Sequence, residues 1–158
     1  MNAKQWLEAM ADLEARIAKI YERFATEFRK VADVGDLWAS MGREELHHAE
    51  VLSHAAGSAP AVTAAAEHVA KLEARVAQIE REVAHPVQLQ DALRVTVDLE
   101  EAETEHVHGA LVTLGDWAEK LAAEPTMQHR LGGVLEHAIR QFGTPALHRR
   151  MTWRRFHD

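Results

Sequence analysis

Apolar residues along this chain recur at steps of three and four, and that spacing constrains the fold more than any other feature of the sequence. Trp6, Met10, Leu13, Ile17, Ile20, Phe24 and Phe28 form one such series. It is the stripe of an amphipathic helix that buries one face, and it predicts a helix over residues 4–32. "DVGD" at 33–36 breaks the pattern. Asp36 is suited to cap a second helix over 37–56, because its short carboxylate can accept from the first unbonded backbone N–H groups. "GSAP" at 57–60 reads as a turn. An alanine-rich helix over 61–84 carries Val69, Leu72, Val76, Ile79 and Val83 on one stripe. It ends at His85-Pro86, since the residue before a proline is pushed out of helical geometry. Helices over 87–123, bent near Gly115, and over 126–142 follow, the last closed by "GTP" at 143–145. No segment alternates at period two, so no strand is expected. The fold class is all-α: a four-helix core (4–32, 37–56, 87–123 and 126–142) with an additional helix between the two helix pairs. Residues 1–144 make the helical domain, and 145–158 a short basic C-terminal tail.

A chain of 158 residues, 47% of them hydrophobic, is enough for one domain with a sizeable core. Its formal net charge of −7 argues against nucleic acid as a partner, because neutralising phosphates needs a surplus of Lys and Arg. The absence of cysteine excludes disulfides, thiolate metal sites, catalytic thiols and iron–sulfur clusters together. It suits a reducing cytosol, and a cytoplasmic location is expected. No window reaches the roughly 18 apolar residues of a membrane span. The N-terminus lacks the apolar run and small-residue cleavage site of a signal peptide.

Within this pattern some polar residues stand where apolar ones belong. On the second helix the stripe runs Trp38, Met41, Glu45, His48, Leu52, so Glu45 and His48 share the core face. On the helix over 87–123 it runs Leu89, Leu93, Thr96, Glu100, Glu103, Val107, which puts two carboxylates on the seam. Glu14 borders the stripe of the first helix. His137 flanks a stripe of Met127, Leu131, Val134 and Ala138 on the fourth. One buried, unpaired carboxylate costs several kcal/mol, and a layer of them needs compensation. The groups are exposed after all, paired with cations, or bound to metal. Lys and Arg are largely absent from the stripes. A divalent ion compensates several carboxylates at once and accounts for the histidine; hard oxygen donors with imidazole suit iron or manganese.

A near-repeat adds weight. "LEARIAKIY" and "LEEAETEHV" each begin with Leu-Glu, at Glu14 and Glu100, and each half then reaches a histidine, His48 in "HHA" and His137 in "EHA". The set resembles the ferritin-like superfamily, and within it the rubrerythrin-type proteins, over about residues 5–142. The resemblance rests on "LEARIAKIYERFA", "GREELHHAEVL", "DALRVTVDLEEAE" and "LGGVLEHAIRQF". It implies a di-iron four-helix bundle in which two helices each give one glutamate and the other two each give Glu-x-x-His. Carried over, Glu14 and Glu100 are the single glutamates, Glu45 with His48 is the first Glu-x-x-His, and Glu103 is the second glutamate of the third core helix. The fourth helix departs from the pattern: with His137 as the histidine, its glutamate should stand at 134, where this chain has Val134. Either Glu103 replaces the lost oxygen, giving Glu14, Glu45 and His48 at one metal and Glu100, Glu103 and His137 at the other, or the second position is weak or absent.

The resemblance further implies a redox protein that reacts with peroxide or dioxygen, as a peroxidase or ferroxidase. Tyr21, a candidate catalytic residue beyond the Glu14 region, is either a hydrogen-bond partner of a carboxylate or a bound oxygen, or a core tyrosine. The cysteine-ligated rubredoxin module of rubrerythrins has no counterpart in these 158 residues, so a separate, unidentified electron donor is expected. A homodimer or larger homo-oligomer is expected as well. The alternative is a degenerate module with one or no metal that serves as a binding or scaffold protein. Its tail, where Arg149, Arg150, Arg154 and Arg155 lie beside Trp153 and Phe156, could dock on an acidic partner or pack on its own domain.

Overall fold

A computed structural model describes residues 1–31, 33–64, 66–114 and 132–154, with side chains over 1–31, 33–64, 66–104 and 134–150. Their regular elements are all helices, with one isolated bridge between Asn2 and Thr63. The helices are α1 (Ala3–Glu27), α2 (Val34–Ala56), α3 (Ala66–Glu82), α4 (Leu89–Leu114), α5 (Gly132–Phe142) and α6 (Pro145–Arg154). Among the described residues no helix is long and apolar enough to cross a membrane. The stretch 115–131, which includes the expected bend at Gly115, lies outside the described residues.

α1 starts at a capping box: Asn2 accepts from the Gln5 backbone N–H while Gln5 reaches back to the Asn2 N–H. It ends at Phe28 rather than at residue 32, and Phe28 turns its ring against Trp38, 5.3 Å between centroids. α2 begins at Val34, three residues before the expected start. Asp33 takes a left-handed conformation (φ 65°) ahead of it, and Asp36 sits in the first turn instead of capping. "VGD" joins the helix because Val34 is buried and Gly35 packs against the end of α1. A Cβ at 35 would lie 3.0 Å from the Arg29 Cα. α3 starts at Ala66, not 61, because residues 62–64 pair in extended form with the N-terminus: Ala3 N–H donates to Val62 O, and Ala64 N–H to Met1 O.

α1 and α2 form an antiparallel hairpin with close contact at Gly42, where a Cβ would meet Ala18 O at 3.3 Å. Phe24 and Trp38 (5.1 Å between centroids) close one end of it. α3 then carries the chain back along the bundle, so α4 runs parallel to α2 and antiparallel to α1. Trp38 faces Thr96 across α2 and α4, and Tyr21 faces Glu100 across α1 and α4. The turn of α4 that carries these residues is held from outside by Asp98. This carboxylate accepts from Arg75 of α3 at 2.6 Å, Arg94 at 2.9 Å and Arg150 of α6 at 2.8 Å. Arg150 also pairs with Glu101. The described part of the basic tail therefore packs on its own domain, with Leu147 buried and the His148 ring against the Ile139 carbonyl.

Asp98→Ala leaves three guanidinium groups facing one another without their shared acceptor. Breaking a largely buried charge network from one side costs about 3–5 kcal/mol. We expect a loss near the lower end of that range in urea unfolding, because the arginines reach solvent. Arg150→Ala, at a partly exposed pair, should cost no more than about 1 kcal/mol.

Candidate metal centre

The stripe of α2 is buried along its whole length: Trp38, Met41, Glu45, His48 and Leu52 all lie inside, with Glu45 1% and His48 2% exposed. α1 brings Glu14 to the same level, buried between Leu13 and Ile17. α4 contributes Glu103, also 1% exposed, and the half-buried Glu100 one turn before it. Donor atoms of Glu14, Glu45 and His48 all lie within 4.8 Å of one another, as do those of Glu45, Glu100 and Glu103. Glu45 belongs to both groups.

His48 Nδ1 is the ring nitrogen that faces the carboxylates, 3.0 Å from Glu45 Oε2 and 4.0 Å from Glu14 Oε2. One oxygen of Glu14 and both oxygens of Glu103 are buried with no hydrogen-bond partner among the described residues. No Lys or Arg among them pairs with Glu14, Glu45 or Glu103. Burial raises the Glu14 carboxyl well above its ordinary value, with Glu45 and Glu100 adding repulsion. Glu103 is raised in the same way, by burial and then by Glu45, Glu14 and Glu100. A buried carboxylate oxygen without a donor forfeits about 1–3 kcal/mol or more. Three such atoms in one cluster, beside an imidazole, form a donor set able to hold a divalent cation, with no hydrogen bond to them among the described residues.

Two contacts hold this cluster in register. The Trp38 indole N–H donates to Thr96 Oγ1 at 2.8 Å, and Thr96 donates to Ala92 O. That bond ties α2 to α4 one turn before Glu100. Sequence reasoning placed Thr96 on the seam without giving it a role; a lone hydroxyl in an apolar stripe was the available signal. The Tyr21 hydroxyl donates to Glu100 Oε1 at 2.9 Å, so it meets a carboxylate as the sequence suggested. Burial, then the charges of Glu100, Glu103 and Glu45, raise its pKa well above the ordinary tyrosine value, which keeps the donor protonated. Tyr21→Phe removes that donor. Losing a partner that orients a ligand lowers metal affinity by ~10–100-fold, and we expect a fall in this range in a titration against a chromophoric chelator.

The structure does not bring His137 to the cluster. It is exposed on α5, and Val134 is 46% exposed. The buried side of α5 is Leu135, Ala138 and Ile139, so the stripe expected through Leu131 and Val134 is the wrong one of two interleaved apolar series. Position 134 faces outward, and a glutamate there would not reach the other ligands. Of the six expected ligands, five converge: Glu14, Glu45, His48, Glu100 and Glu103.

Among the described residues, fold and site together define a helical protein with a largely buried cluster of four carboxylates and one imidazole able to hold metal. Comparison with protein-family models, curated proteins and solved structures finds no match to this chain.

Proposed function

We propose that this chain is a ferritin-like, rubrerythrin-type carboxylate protein that binds iron, or manganese in its place, and reacts with peroxide or dioxygen. The observation that carries the reading is Glu103, a carboxylate 1% exposed with neither oxygen hydrogen-bonded, beside Glu14, Glu45 and His48. The course of the chain supports it. An antiparallel helix pair followed by a crossover that sets α2 and α4 parallel suits a bundle with one long connection, the topology of ferritin-like folds.

Bound iron would supply electrons one at a time, two ferrous ions together reducing one peroxide to two waters with uptake of two protons. The chain's own residues prepare for this. Glu45 reaches both donor groups and sets their separation. His48 and Glu14 complete one side, Glu100 and Glu103 the other. Tyr21 holds a proton at its hydroxyl against Glu100. Glu14, Glu45, His48 and Glu103 are themselves buried, which keeps bulk water from them. The test is peroxide consumption by anaerobically iron-loaded protein under a supplied reductant. Turnover that disappears in Glu45→Gln supports the reading; iron-loaded protein no faster than free iron overturns it.

The exposure of His137 favours a second reading, a centre reduced to one metal. It predicts a single equivalent bound at Glu14, Glu45 and His48.

A further inference from the structure

We infer that Arg150, on the C-terminal helix, is a positioning residue for the candidate metal centre: it fixes from outside the turn of α4 that presents Glu100. This rests on the proposed metal binding and adds the C-terminal segment to the parts that control it. Arg150 Nη1 lies 2.8 Å from Asp98 Oδ1, and its Nη2 donates to Glu101 Oε2. Asp98 and Glu101 stand three apart on α4, so they share its outer face and one guanidinium spans both. Glu100 lies between them in sequence and turns the other way, where the Tyr21 hydroxyl donates to its Oε1 at 2.9 Å.

The arm that carries Arg150 is stiff. Only Gly143 and Thr144 separate α6 from α5. Gly143 N–H donates to the Ile139 carbonyl at 2.7 Å, the His148 ring meets the same carbonyl at 2.6 Å, and Thr144 Oγ1 accepts from the Leu147 N–H at 3.3 Å. A Cβ at 143 would stand 2.5 Å from that carbonyl, so a side chain there would force the joint open. Leu147 is buried, and α5 packs on both α2 and α4. Arg150 thus closes a circuit from α2, which carries Glu45 and His48, through α5 and α6 to α4, which carries Glu100 and Glu103. A ligand set spread over two helices depends on their separation, and groups outside the set maintain it. Charge alone predicts the opposite effect. A cation beside an acidic cluster repels a bound metal ion, so removing Arg150 tightens binding if it acts only through its charge, and loosens binding if it holds Glu100 in place.

The test uses the full chain as wild type, Arg150→Ala and Arg149→Ala, with circular dichroism confirming equal helix content. Arg149 is exposed on the same helix, and its loss makes the same change in net charge. Mn2+ affinity is measured by competition with a chromophoric chelator. The metal-free chain is read through Tyr21, its only tyrosine, by carbon NMR of the ring carbon that bears the hydroxyl. Arg150→Ala should bind Mn2+ about tenfold more weakly, the lower end of the losses caused by removing a ligand's support. It should also shift the Tyr21 resonance, and Arg149→Ala should do neither. If Arg150→Ala loses helix content, Arg150→Lys takes its place, since it keeps the charge without the fork that spans two acids. Binding in the folded variant that equals or exceeds wild type overturns the inference and leaves the metal-binding function standing. So does an unmoved Tyr21 resonance, or an equal loss in Arg149→Ala. Wild-type protein that takes up no Mn2+ overturns both.

Discussion

Stripped of metal by a chelator, the protein is expected to unfold more easily as pH rises from about 5 to about 8. Glu14 and Glu103 are both raised well above the ordinary carboxyl value by burial and by neighbouring carboxylates. The folded state therefore holds protons there that the unfolded chain has released. By linkage, their contribution is fully present below the ordinary carboxyl range and is lost as pH climbs through the raised folded values. Each proton released on unfolding changes stability by up to about 1.4 kcal/mol per pH unit, so two coupled carboxyls give a steep slope. Glu80 works in the opposite direction. Its hydrogen bond to Arg16 lowers its value, so its contribution is present above the ordinary carboxyl range and lost as pH falls below it. The two effects occupy different windows, below the ordinary carboxyl range for Glu80 and above it for the cluster.

Metal inverts the slope. A divalent cation needs Glu14 and Glu103 ionised, so its binding, and the stabilisation that follows, strengthens with pH. Urea unfolding of chelated and Mn2+-saturated protein at several pH values should give curves that diverge upward in pH. A metal-free stability that is flat or rising between about pH 5 and 8, with no added effect of Mn2+, is incompatible with a protonated carboxylate cluster at the core.

The second large effect belongs to Glu45. It is the one residue common to both donor groups, and its Oε2 is the carboxylate oxygen closest to His48 Nδ1. Glu45→Gln should abolish both metal equivalents together, lowering affinity at least ~100-fold, beyond the loss expected for a merely supporting partner. The same substitution removes one negative charge from a buried acidic cluster, so metal-free stability at neutral pH should hold or rise by about 1–2 kcal/mol. Opposite signs for metal binding and stability are the signature of a ligand retained at a cost to the fold. His137→Ala, on the exposed side of α5, should change neither quantity. Loss of metal in His137→Ala, or retention of both equivalents in Glu45→Gln, would contradict the geometry.

Much of this site was legible in the sequence because steps of three and four from buried apolar residues of α1, α2 and α4 lead to its carboxylates. On α2, steps of three and four through Trp38, Met41 and Leu52 leave a single choice of buried face, and Glu45 with His48 fall on it. On α4 the same arithmetic carried Glu103 inward from Leu93 and Thr96. The fourth core helix was different. Val134 and Ala138 form one apolar series there, while Leu135, Ala138, Ile139 and Phe142 form another, and periodicity does not choose between them. Aligning His137 with His48 through the near-repeat chose the series that the fold turns outward. The helix starts erred for a related reason. "DVGD" has the composition of a break, yet Val34 is buried and Gly35 lets the backbone approach Arg29, contacts that only the folded hairpin supplies. The pairing of residues 62–64 with the N-terminus, which delays α3, joins segments far apart in sequence and leaves no local mark. The cage around Asp98 is also non-local, since its three arginines come from α3, α4 and α6.

The most direct test of the metal centre is the metal content of the full chain after anaerobic loading with iron and removal of loosely held ions, measured per chain by elemental analysis beside Glu45→Gln. The account predicts two ions in the wild-type protein and none in the variant. A wild-type chain that retains no metal under these conditions would contradict it.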